Sequence, residues 1–274
     1  MSVPALPTDR FADAVAGLRV PGMGTEAVAP LLAGLVRFAR PRTVLEVGMG
    51  YTTPFLAAAL AETQAQVRAE SAALAEKNRG YLDGDTPFDE TWLYAEPPLL
   101  TPAFYLEPYT TRLVAVDNLS IAESSAPRVL EVLRELGLDQ QVTVVNADLR
   151  ECRELLPADF APIDLAWVDA WECLFFFDHF WDLINPDGGL VVMHYLMTYP
   201  EGEAILDYIA KVQRARPGEL EVVNLLEPHK LAQNSLTILR RTTAGKAPSH
   251  ADPGGRLRYD GPLRDAAATH LDLP

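Results

Sequence analysis

Residues 43–53 read TVLEVGMGYTT, an apolar strand that ends on an acid and runs through a Gly-x-Gly turn into a helix. Val44, Leu45 and Val47 suit a strand buried on both faces, as in a parallel sheet. Gly48 and Gly50 let the backbone pass close to a ligand, and Pro54 fits the first turn of the next helix. The dinucleotide fingerprint asks for a third small residue three places after the second Gly. Thr53 stands there, and Glu46 stands where a nicotinamide site has no use for an acid, so the nicotinamide reading weakens.

At 274 residues, 49% hydrophobic and 22% charged, the chain can bury one substantial core, with room for additions to a single large α/β domain. Thirty-eight acids against 23 bases give a formal charge of −15. Such a field repels nucleic-acid phosphates and anionic membrane surfaces, which points to a small acceptor and no nucleic-acid partner. Cys152 and Cys173 are too few for a disulfide framework or a closed zinc site and read as core thiols of a reducing cytosol. The N-terminal MSVPALPTDRF has no basic region followed by an apolar one, and no apolar run approaches the ~20 residues of a membrane span. A cytoplasmic protein without a membrane partner is expected.

Working outward, residues 8–40 carry two amphipathic segments, read as a helical cover over residues 1–42. Strand-like runs then alternate with helical ones: 43–47, 113–117, 142–146, 163–169 and 189–195. That alternation means βαβ units and a parallel sheet. Helical periodicity shows in VLEVLRELGL and CLFFFDHFWDLI, and NPDGG makes a strong turn before the fifth strand. The last two strand patterns, ELEVVNLL and SLTILRR, are joined by too short a link for a helical crossover and read as an antiparallel hairpin. Five parallel strands plus such a hairpin, with an acid two residues before the first Gly of the turn, resemble the seven-stranded Rossmann-like sheet of the class I S-adenosylmethionine (SAM) dependent methyltransferases. The resemblance spans 43–240. Residues 241–274, rich in Thr, Ala, Gly and Pro, read as a C-terminal arm or subunit contact.

In that family an acid ending the second strand follows the Gly motif by about 20 residues. The matching Asp117 lies 71 residues past Glu46, so the chain carries an insertion at about 62–111. Part is an Ala-rich helix from Pro54 to about Arg79; the rest is crowded with prolines and aromatics, among them Trp92 and Tyr105. Long irregular segments in compact domains tend to be functional. The insert reads as a lid or dimer arm that brings Trp92 and Tyr105 to an acceptor pocket, or as packing over the sheet edge, and a homodimer is expected.

The resemblance implies SAM as cofactor and S-adenosylhomocysteine (SAH) as product. Glu46 would face the cationic methionine end, Gly48 and Gly50 would admit the backbone, Asp117 would take the ribose diol, and Asn118 would lie beside the adenine. Asp148 would accept from the adenine amino group, unless it is the N-cap of LRECRELL. Asp169 ends the fourth strand at the same ligand-binding edge. WVDAWE and GGLVVMHY also resemble the catechol and caffeoyl-CoA type O-methyltransferases, whose divalent cation is held by an acid after strand four and an Asp-Asn pair after strand five. Asp169 and Trp171 match; Glu172 replaces the usual Lys, and His194 and Tyr195 replace the Asp-Asn pair. Magnesium prefers oxygen ligands, so no metal is expected, although a His, Asp and Glu cluster could hold a transition metal. Without metal, methyl transfer needs an aligned acceptor and a base. His194 is the first candidate, with Tyr195, Glu172 and Asp169 able to orient or replace it, and His229, in the last loop, a further candidate. Each could instead be a plain surface or strand-end polar residue. Trp171 could wall the acceptor pocket. The expected function is a metal-independent, SAM-dependent methyltransferase of a small aromatic or specialised metabolite. Aminopropyl transfer, cyclisation or a non-catalytic SAM-binding subunit are the alternatives.

Overall fold

Five strands run parallel in a seven-stranded sheet of order β3-β2-β1-β4-β5-β7-β6, four of them largely buried and the fifth, β3, a more exposed edge. The computed structural model describes residues 9–82, 94–97, 102–105, 107–122 and 124–243. Along the chain run α1 (Asp9–Ala16), α2 (Thr25–Ala39), β1 (Thr43–Val47), α3 (Thr52–Leu82), β2 (Arg112–Asp117) and α4 (Ala126–Leu136). There follow β3 (Val142–Asn146), a short α5 (Leu149–Cys152), β4 (Leu165–Val168), α6 (Cys173–Phe180), β5 (Leu190–His194), α7 (Pro200–Ala215), β6 (Leu220–Leu226) and β7 (Ser235–Arg241). β7 pairs antiparallel with both β5 and β6, as the short link between the last two strand patterns requires.

Alternation of side chains along the strands splits the core into two layers. Val44, Leu113, Leu165, Trp167 and Val192 face α1 to α4 on one side. Leu45, Val47, Val114, Val168, Val191 and Met193 meet α5, α6 and α7 on the other, where Phe176, Phe177 and Phe180 fill the layer. Cys152 and Cys173 are buried there, and burial pushes their thiols up to about 11 and about 12, which leaves them protonated and inert.

Local chemistry sets the element ends. α4 closes at Gly137, φ 69°, with Gly137 N–H on the Arg134 carbonyl at 3.1 Å and Leu138 N–H on that of Leu133 at 2.8 Å, the paired bonds of a Schellman motif. α3 runs 31 residues, and the Ala-rich start of the insert is therefore helix. Among the described residues no helix is long and apolar enough to cross a membrane.

Candidate functional site

Gly48 leaves β1 with φ 91°, and a Cβ there would meet the Asp169 carbonyl oxygen at 2.9 Å, so the turn is pinned against the end of β4 and only Gly fits. Its N–H donates to the Val116 carbonyl at 2.9 Å. Asp117 holds the next step: its Oδ2 accepts from Met49 N–H at 2.9 Å and its Oδ1 from Ser124 Oγ at 2.7 Å. Ser125 Oγ donates to the Met49 carbonyl at 2.7 Å, and Gly50 N–H donates to Thr53 Oγ1 at 3.0 Å. Asp117 is thus first the anchor of the glycine turn. A carboxylate has about four acceptor sites, so two remain for a ligand.

Glu46 is fully buried beneath this turn. Its Oε1 accepts from Thr52 Oγ1 at 2.7 Å, and Thr52 in turn accepts from Trp167 Nε1 at 3.2 Å. Its Oε2 has no partner. Burial raises this carboxyl to about 8; the neighbouring hydroxyls of Thr52 and Thr53 oppose the rise, and the charges of Asp169 and Asp117 add to it. Above the turn lies a cavity of about 140 Å³ lined by Gly48, Gly50, Tyr51 and Asp169 and roofed by Leu18, Val20 and Met23 from the connector between α1 and α2. The connector between α1 and α2 therefore lies beside the glycine turn.

At the end of β5, His194 is fully buried, with Nδ1 2.9 Å from Asp169 Oδ1 and Nε2 without a partner. An ionised carboxylate only accepts, so this pairing assigns the proton to Nδ1 and the free lone pair to Nε2. Tyr195 follows at φ 52°, a left-handed conformation that costs a non-glycine residue of order 1–3 kcal/mol. It is buried, its N–H donates to the Ser235 carbonyl at 2.7 Å, and burial, with Cys173, Asp169 and Tyr199 nearby, pushes its phenol far up. Trp171, 69% exposed, lies 5.3 Å from the Tyr195 ring and 5.4 Å from that of Tyr199.

Other expected residues are placed differently. Asp148 accepts from Arg150 N–H at 3.0 Å and caps α5, the capping alternative. Asn118 folds back on Ser120, accepting from its N–H at 3.1 Å. Glu172 pairs with Arg150 at 2.6 Å, so the Asp169, Glu172 and His194 cluster considered for a transition metal is not assembled. Among the described residues no group of three or more His, Cys, Asp or Glu side chains is placed to hold a metal ion. His229 is exposed, 3.6 Å from Glu227.

Tyr105 corrects the reading of the insert. Its hydroxyl donates to Glu70 Oε2 at 2.7 Å, inside the pair that Arg40 makes with Glu70 at 2.5 and 2.9 Å, and burial and Glu70 push it up to about 12. Nearby, Tyr109 donates to the Pro41 carbonyl at 2.9 Å. Arg40 and Pro41 stand just before β1, so Tyr105 lies at the amino-terminal edge of the sheet, opposite the ligand edge. The reason is topological: β2 is parallel to β1, and residues just before Arg112 must return to the edge where strands begin. Trp92 lies outside the described residues. Two larger cavities, about 510 Å³ beside α3 and about 340 Å³ lined by Phe160 and Ile163, also lie toward that amino-terminal edge. Reasoning from sequence missed Thr52, Trp167, Ser124, Ser125 and Tyr199; only Thr52, beside the glycine turn, carried a local signal.

Solved structures share this arrangement over most of the chain. The O-methyltransferase TomG from Streptomyces achromogenes, involved in tomaymycin synthesis and solved with SAM, superposes with a TM-score of 0.56 at 19% identity, covering 87% of this chain and 92% of its own. The fold is that of a class I methyltransferase. An O-methyltransferase from Bacillus cereus in complex with SAH gives a TM-score of 0.56 at 14% identity over 86% of this chain and 92% of that one. A putative O-methyltransferase from Klebsiella pneumoniae gives 0.55 at 18% identity over 87% and 92%. No protein-family model and no curated protein matches the chain. In the class I methyltransferase sheet seen here, the glycine turn, Glu46, Asp117, Asp169 and His194 all stand at the carboxyl ends of the strands, where open α/β sheets bind ligands.

Proposed function

We propose that this protein is a SAM-dependent methyltransferase of a small acceptor that works without a divalent metal. The observation that carries the reading is the unpartnered Oε2 of the buried Glu46 under the glycine turn. A buried carboxyl oxygen without a partner is costly to keep, and a cationic ligand group is the partner it lacks. The fit extends along the edge: Asp117 has acceptor sites left for a ribose diol, with Asn118 and Asp148 beyond it on the adenine side and Gly48 and Gly50 clearing the backbone. When bound, SAM supplies a methyl group already activated by its sulfonium for in-line displacement.

What the chain supplies is alignment and proton removal. His194 Nε2 is the free lone pair at this edge, and Asp169 fixes the ring that carries it. Tyr195 is held as the phenol, Glu172 is spent on Arg150 and His229 faces solvent, so His194 is the base this reading assigns. Its ring stands where related enzymes of the metal-dependent class are expected to place a metal-binding oxygen, which supports metal independence. A homodimer and a cytoplasmic setting belong to the same reading; sedimentation tests the dimer.

A calorimetric titration with SAM followed by an acceptor screen read by mass spectrometry tests the proposal. An acceptor gaining the mass of one methylene group supports it, and absence of SAM binding defeats it. The small roofed cavity favours one other reading, a non-catalytic SAM-binding subunit, which binding without turnover of any acceptor would support.

A further inference from the structure

Three aromatic rings stand together beside His194. Trp171 to Tyr195, Trp171 to Tyr199 and Tyr195 to Tyr199 measure 5.3, 5.4 and 5.5 Å between centroids, and Tyr195 lies 5.1 Å from the His194 ring. Two features show a built arrangement. Tyr195 is kept in a left-handed conformation by its bond to Ser235 and by Thr198 N–H on its own carbonyl at 3.0 Å, which turns its ring toward Trp171 and Tyr199. Trp171, on the same cluster, leaves 69% of its surface to solvent, so one large aromatic face is open. The buried Nε2 of His194 independently points to a ligand, because it lacks a hydrogen-bond donor.

The charges narrow the ligand. Asp169 lies on His194, and the cations of the neighbouring loops are taken up: Arg150 by Glu172 at 2.6 Å, Lys230 by Glu227 at 2.9 Å. With a net charge of −15 on the chain, a carboxylate or phosphate-bearing acceptor meets repulsion, and among the described residues Arg150 and Lys230 are already paired. Resting on the methyltransferase reading, we infer that the acceptor is an uncharged, planar aromatic hydroxyl that stacks on Trp171, Tyr195 and Tyr199 and donates its O–H to His194 Nε2. In the transfer the phenol oxygen forms the new O–C bond, its proton passes to Nε2, and the S–C bond breaks with its electron pair staying on sulfur.

The test uses the full chain saturated with SAH and matched six-membered ring ligands: 2-methoxyphenol, benzoate, benzylamine and cyclohexanol. Binding is read by saturation-transfer NMR and turnover, with SAM in place of SAH, by mass spectrometry. The phenol should bind and be methylated, with benzoate and cyclohexanol at least about tenfold weaker, since aromatic pairing contributes about 0.5–1.5 kcal/mol beyond area burial. Trp171→Ala and Tyr199→Ala should each raise the acceptor KM about tenfold and leave SAM affinity within about twofold. Trp171 is exposed, so its variant keeps the test open if the Tyr199 variant fails to fold. Preference for benzoate or benzylamine, unchanged KM in folded Trp171→Ala, or no phenol binding to the SAH-loaded protein each overturns the inference. A protein that does not take up SAH at all instead defeats the methyltransferase reading on which it rests.

Discussion

Glu46 is held in the free protein as the acid, because burial raises it from the usual 4.5 to about 8. Between those values the folded chain keeps a proton that the unfolded chain has lost. This group's contribution is full below about 4.5 and is lost as pH rises toward 8, at up to about 1.4 kcal/mol per pH unit. Glu46→Gln should therefore flatten the fall in urea stability between pH 5.5 and 7.5; an unchanged slope would take the proton away from Glu46. Gly48→Ala would place a Cβ 2.9 Å from a backbone oxygen at φ 91°, where neither can move cheaply. It should cost roughly 1–3 kcal/mol and abolish SAM binding in the fraction that folds, as denaturation and calorimetry on one preparation would show. For His194→Ala, kcat should drop by about 10² to 10⁴ with SAM affinity nearly unchanged. Full activity across the pH range would discard the base. Glu46 and His194 were both legible as strand-end polar residues, but their free atoms were not, since a missing partner is a property of packing.

At the scale of elements, the strands and the order of the sheet could be read from the alternation of apolar runs, because burial on both faces leaves a continuous hydrophobic signature. The insert was harder. Its aromatics suggested a lid, yet the parallel entry of β2 obliges the residues before Arg112 to lie at the amino-terminal edge, and Tyr105 packs there on α3. Asp148 shows the same limit in reverse: a strand-end acid and a helix N-cap look alike in sequence, and the cap is visible in the structure as the bond from Arg150 N–H to one of its two oxygens. Tyr105→Phe removes a hydroxyl bonded to the carboxylate of Glu70, and stability should fall by about 1.5–3 kcal/mol while kcat and the acceptor KM stay at wild-type values. A changed KM with unchanged stability would return Tyr105 to the pocket. The connector between α1 and α2 is fastened at its other end by Lys230, whose Nζ donates to the Gly24 carbonyl at 3.1 Å. It thereby joins the roof of the cavity to the loop between β6 and β7.

Across the whole molecule, the two core layers cover both faces of the sheet while its carboxyl edge gathers Glu46, Asp117 and Asp169, three acids in a chain of net charge −15. An edge so acidic suits a cationic cofactor, and His194 with Tyr195 in place of an oxygen-ligand pair leaves magnesium poorly served. Turnover should survive EDTA and gain nothing from added magnesium; loss restored by magnesium would make Asp169 a ligand. The most direct test of the central claim is calorimetry of SAM binding at pH 7 in two buffers of different ionisation enthalpy, comparing wild type with Glu46→Gln. The account predicts saturable one-to-one binding in which the wild type releases close to one proton, as the Glu46 acid becomes the carboxylate facing the cofactor's cation, and the variant binds more weakly without that release. Absence of saturable binding, or a variant that binds as tightly with the same proton release, would contradict it.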